Sequence, residues 1–114
     1  MCVRMVSLSI TPKELIELLI GEIDGDVIHH DYHEIGENMG FGNIVLEKCY
    51  TRTKHLEVII IHTENIEGVT NATMITSTSL EDRALELDWE VADDPMNELM
   101  EIVDRYMIDE KEIE

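Results

Sequence analysis

Strict alternation of apolar and charged residues marks Leu85–Val91, where Leu85, Leu87, Trp89 and Val91 take one side and Glu86, Asp88 and Glu90 the other. A period of two is that of a strand with one dry face and one wet face. Strands are also predicted over Val3–Ile10, Val27–Ile35, Ile44–Arg52, His55–Thr63 and Val69–Ser79, each rich in β-branched residues. Thr53-Lys54 is the expected hairpin link between the third and fourth of these six. Gly36, Asn38, Gly40, Gly42 and Asn43 read as a loop.

Two segments carry helical spacing instead. Thr11-Pro12-Lys13-Glu14 combines a capping hydroxyl, a proline at the first helical position and an acid that closes a capping box. A helix then runs through Leu15, Leu18 and Leu19, with Gly21 as its stop. The second starts at Asp94-Pro95 and buries Met96, Leu99, Met100, Val103 and Met107. Residues 109–114 are expected to fray.

The predicted order is therefore β-α-β-β-β-β-β-α. Consecutive strands with short links make an antiparallel meander, and two amphipathic helices on one face bury it. The expectation is one α+β domain over residues 1–114, a two-layer fold with five to six strands. Its core is predicted to hold Leu15, Leu19, Val58, Ile60, Leu87, Trp89, Leu99 and Val103. This element order is similar to that of the TATA-binding-protein-like and helix-grip folds. The likeness covers order alone and carries no motif, so it implies a fold and no activity.

Charge narrows the choice of partners. The 114 residues hold 26 Asp plus Glu against 8 Lys plus Arg, a net charge of -18 beside 44% hydrophobic residues. Such a chain folds and presents an acidic surface. Nucleic acid and anionic membranes share its sign and are not expected partners; a basic protein is. Residues 79–114 hold 14 acids and 3 bases, so attraction should be strongest in that third. Cys2 and Cys49 lie in no C-x-x-C pair, and no run is long and apolar enough for a membrane span. A cytoplasmic chain with reduced thiols is the expectation.

The sequence has no phosphate-cradling glycine loop, no dinucleotide fingerprint, no G-x-S-x-G and no H-E-x-x-H. Cys49 with His55 lacks a third orienting group, so catalysis is not expected. No cofactor is implied, and a divalent cation is the small ligand the acids favour. Glu22, Asp24 and Asp26 surround Gly25 in a turn, and Asp93 and Asp94 precede the last helix, both sets suited to calcium. His29, Asp31 and His33 share one face of a strand and offer an alternative, zinc-like donor set.

Val58–Ile61 is the longest apolar run, and both faces of that strand are greasy. With Leu56, Val58 and Ile60 turned to the helices, Ile59 and Ile61 would join Val45 and Ile75 on the far face. That patch predicts an interface, with a second copy as its expected occupant. The functional expectation is an acidic, non-catalytic binding or interaction module. A calcium-type binding protein is the alternative; a small-ligand carrier or an enzyme is less favoured.

Overall fold

The computed structural model describes residues 2–50, 55–78 and 95–112. The predicted strand over Leu85–Val91, the Thr53-Lys54 link and the acids Asp93 and Asp94 lie outside the described residues. The elements are β1 (Cys2–Leu8), α1 (Pro12–Glu22), β2 (Asp26–Gly36), β3 (Met39–Tyr50), β4 (His55–Glu64), β5 (Thr70–Thr78), α2 (Pro95–Val103) and β6 (Met107–Glu112). The six strands form one antiparallel sheet in the order β2-β3-β4-β5-β1-β6. With both helices it is an α+β, two-layer fold. Among the described residues no helix is long and apolar enough to cross a membrane.

The start of α1 is set by its cap. Thr11 Oγ1 accepts from the Glu14 amide at 3.1 Å, and Glu14 Oε1 accepts from the Thr11 amide at 2.9 Å. Two otherwise orphaned donors are thereby satisfied. The helix passes through Gly21 to Glu22 and ends at Ile23, whose extended backbone still donates to Leu19. Burial of Ile23 turns the chain onto the sheet.

The glycine-rich stretch is mostly strand. Only Asn38, at φ 57°, takes the left-handed turn conformation that joins β2 to β3. Gly40 and Gly42 sit inside β3 because neighbours leave no room for a side chain. A Cβ on Gly40 would meet the Tyr32 ring carbon Cζ at 2.7 Å, and one on Gly42 would run into Ile16 of α1.

Val6 and Leu8 of β1, Ile44 and Leu46 of β3, Ile59 and Ile61 of β4, and Ala72 and Met74 of β5 form the sheet side of the core. Leu15, Ile16 and Leu19 of α1 and Met96, Leu99 and Val103 of α2 complete it. Leu15, Leu19, Leu99 and Val103 are thus in the predicted place. Leu87 and Trp89 lie outside the described residues.

Two expectations are corrected at this level. The last helix stops at Val103, and a 3-10 turn at Asp104–Tyr106 leads into β6, so Met107 begins a strand. Residues 109–112, expected to fray, pair with β1. The Ser9 amide donates to the Tyr106 carbonyl at 2.8 Å, and Arg4 bridges to Glu110 at 2.8 Å across the two strands. Acidic residues read as a tail from composition, yet an exposed edge strand tolerates charge well.

The second correction is the facing of β4. Ile59 and Ile61 are fully buried beneath the helices, and Ile60 is turned outward, 39% exposed. Cross-strand pairing explains it. Ile61 lies opposite Ile44 and Met74, and Ile59 opposite Leu46 and Thr76, all on the helix side. The buried row carries polar ends, Glu57 and Thr63, which disguise it in the sequence.

Candidate binding face

Opposite the helices, side chains of alternate residues form an open sheet face whose rows follow from the strand register. One row is apolar: Val3 of β1 lies opposite Ile75 of β5, Ile75 opposite Ile60 of β4, and Ile60 opposite Val45 of β3. Val3, Ile75 and Val45 are half-buried and Ile60 is exposed. Val45 and Ile75 therefore do share the outward face. Ile59 and Ile61, expected beside them, do not; Ile60 and Val3 take those places.

The adjoining row is polar. Thr73, His62, Asn43 and Asp31 follow one another across β5, β4, β3 and β2. Asn43 Nδ2 and the Asn43 amide both donate to Asp31 Oδ1, at 3.2 and 3.1 Å. The Asn43 carbonyl oxygen is then left to accept, so Nδ1 of His62, 2.8 Å away, carries the hydrogen. Asp31 Oδ2 accepts from His29 Nε2 at 2.9 Å, and His33 Nε2 stands 3.9 Å from Oδ1. His29, Asp31 and His33 are thus brought together on one face, as their spacing predicts. A third row is also hydrogen-bonded. Ser7 Oγ donates to Asn71 Oδ1 at 2.9 Å, and Asn71 Nδ2 to Glu64 Oε2 at 3.1 Å.

Asp31 works here as an acceptor hub. The hydrogen bond from His29 is the largest influence holding its carboxyl below the ordinary 3.8; partial desolvation opposes this, and the Asn43 donors add to it. A depressed carboxyl stabilises the fold above its unfolded pKa and loses that contribution as pH falls through the lower, folded value. Asp31→Asn should therefore reduce stability at about pH 7, with the deficit closing only in acid. Urea midpoints of both proteins across pH test this; a deficit unchanged by acid would contradict it.

The acidic turn behaves differently. Glu22 ends α1, Asp24 follows it and Asp26 opens β2, all exposed. The Asp24 amide donates to Glu98 Oε2 at 3.1 Å, and Lys48 Nζ pairs with Glu98 Oε1. Asp24, Lys48, Asn97, Glu98, Met100, Glu101 and Asp104 line an open groove of ≈ 840 Å³. Sequence reading missed this groove because its acids come from α2 and the 3-10 turn, far from Asp24 along the chain. Among the described residues no group of three His, Cys, Asp or Glu side chains is placed to hold a metal ion. Asp31 already accepts three hydrogen bonds, two at Oδ1 from Asn43 and one at Oδ2 from His29. Cys2 and Cys49 are free, exposed thiols.

Comparison with family models, with curated proteins and with solved structures finds no match.

Proposed function

We infer that this protein is a non-catalytic interaction module that binds a basic protein through the open face of its sheet. The observation that supports this reading is the in-register row Val3–Ile75–Ile60–Val45, with Ile60 exposed on a strand that has neighbours on both sides. An exposed aliphatic band on central strands loses free energy to water that a partner recovers by covering it. Charge selects the partner. The chain carries -18, and Asp31, Glu47 and Glu64 share the outward face with the apolar row. Arg4 and Lys48 lie on the opposite, helix side of the sheet, where they pair with Glu110 and Glu98. The complementary surface is one that sets aliphatic side chains among Lys and Arg.

A peptide of about ten residues alternating leucine and lysine, ~33 Å long when extended, is a direct probe. Calorimetric titration should show it binding at least ~10-fold tighter than its leucine–glutamate counterpart. Ile60→Asp should abolish most of that binding even though it adds a negative charge. If Ile60→Asp binds the basic peptide more tightly, attraction is diffuse and the face is not the site. If the unmodified protein sediments as a dimer that Ile60→Asp dissociates, a second copy occupies the face and the basic-partner reading fails.

A further inference from the structure

Strand β2 ends the sheet, with β3 on one side and no strand on the other among the described residues. It is 11 residues long, and nearly all of it is exposed. Long open edges invite pairing, and proteins blunt them with bulges and charge. β2 has both devices, but its charges are arranged in an unusual way. The register with β3 shifts between Val27 and His29 and again between Glu34 and Gly36, which leaves His29–Glu34 as a regular stretch. That stretch reads His-His-Asp-Tyr-His-Glu.

We propose that β2 is a self-recognition edge, pairing antiparallel with β2 of a second copy about Tyr32. Residues directly opposite in an antiparallel pair point to the same face, so a two-fold pairing must centre on a single residue. About Asp31, two aspartates meet and His29 faces the partner's His33. About Glu34, two glutamates meet. About His30, His29 gains the partner's Asp31, but two histidines meet at the axis. About His33, two histidines meet at the axis, Asp31 faces the partner's Ile35, and Glu34 gains only the partner's Tyr32.

Of these centres, only Tyr32 sets every acid and histidine from His30 to Glu34 opposite a complementary group. Asp31 then faces the partner's His33, and His30 faces the partner's Glu34, each pair occurring twice. An imidazole N–H opposite a carboxylate is favourable in either protonation state of the ring. Every residue from His30 to Glu34 also lies inside the regular stretch, between the two register shifts. The backbone of the outer edge would gain hydrogen-bond partners at the same time.

The two-fold axis of such a pair stands perpendicular to the sheet, so both open faces lie on the same side. Two copies would present one continuous, bivalent platform to a basic partner, with the gain in avidity that follows. Mutual repulsion between two chains of -18 opposes the pairing, and added salt relieves it.

Sedimentation equilibrium at about 0.15 M ionic strength tests the proposal with three proteins. The unmodified chain should dimerise. His30→Glu sets two acids opposite each other twice and should weaken the dimer about tenfold. His30→Glu combined with Glu34→His exchanges the two sides of the pair and should restore it. Position 30 and position 34 are exposed, and matched circular dichroism of the three proteins confirms that the fold is common to them. An isotope-filtered experiment on mixed labelled and unlabelled copies should show contacts between Asp31 and the partner's His33. A monomer at every concentration, a dimer indifferent to His30→Glu, a double variant as weak as the single one, or a dimer dissociated by Ile60→Asp instead would each overturn it.

Discussion

Ile61→Asp should leave the protein unfolded, while Ile60→Asp, one residue away, should leave the fold intact. Ile61 has no exposed surface and lies between Ile44 of β3 and Met74 of β5 in the core shared with the helices. Removing its side chain alone costs about 2–5 kcal/mol by the usual sum of transfer and cavity terms. The added carboxylate must also be buried without a partner, or neutralised, at a further cost of several kcal/mol. Against a total stability of about 5–15 kcal/mol for a domain, that sum is decisive. Ile60 already meets water, so a carboxylate there keeps its hydration and disturbs only the apolar row. Far-UV circular dichroism and thermal melts of the two variants read the difference. A folded Ile61→Asp beside an unfolded Ile60→Asp would reverse the facing of the whole sheet.

Gly42→Val should destabilise the protein by about 3 kcal/mol or more, at the upper end of overpacking costs. A Cβ at position 42 would run into the Asp31 carbonyl of β2 and Cδ1 of Ile16, with the Tyr32 Cα at 3.3 Å. Ile16 can change rotamer. The β2 backbone cannot retreat without stretching its pairing to β3. Gly21→Ala is the matched control, since a Cβ there meets nothing within 4 Å and Gly21 lies within α1. It should stabilise the helix by about 0.5–1 kcal/mol. Urea midpoints at constant slope distinguish the two; equal behaviour would mean that α1 does not press on β3 at Gly42.

The fold class was legible in the sequence because most elements announce themselves locally. Thr11, Pro12 and Glu14 set the start of α1, and the spacing of Met96, Leu99 and Val103 marks α2. The facing of β4 was not legible. Four consecutive apolar residues from Val58 to Ile61 remove the alternation that tells one face from the other. The flanks then mislead, since Glu57 and Thr63 bracket the buried row while Leu56 lies in the outward one. Pairing with Ile44 and Leu46 decides the matter, and pairing is not a local property. β6 was missed for a related reason: Asp109–Glu112 looks like solvated chain until β1 is there to pair with it.

The candidate site was half visible. The spacing of His29, Asp31 and His33 put them on one face of β2, and there they are. Asn43, which donates to Asp31, and His62, which bonds Asn43, come from β3 and β4, and no sequence spacing connects them to Asp31. Once Asn43 is in place, Asp31 accepts three hydrogen bonds, two of them from β3. The apolar row was anticipated at Val45 and Ile75 and misassigned at Ile59 and Ile61, a direct consequence of the one-residue error in facing.

On the proposed function, the open sheet face, and not the acidic groove at α2, is the working surface. Residue-resolved amide shifts during titration with the leucine–lysine peptide test it most directly. Shifts should concentrate at Val3, Val45, Ile60 and Ile75, saturate together, and persist when ionic strength is raised enough to screen distant charge. Shifts centred on Asp24, Glu98, Glu101 and Asp104, or spread over the whole surface and erased by salt, would contradict it.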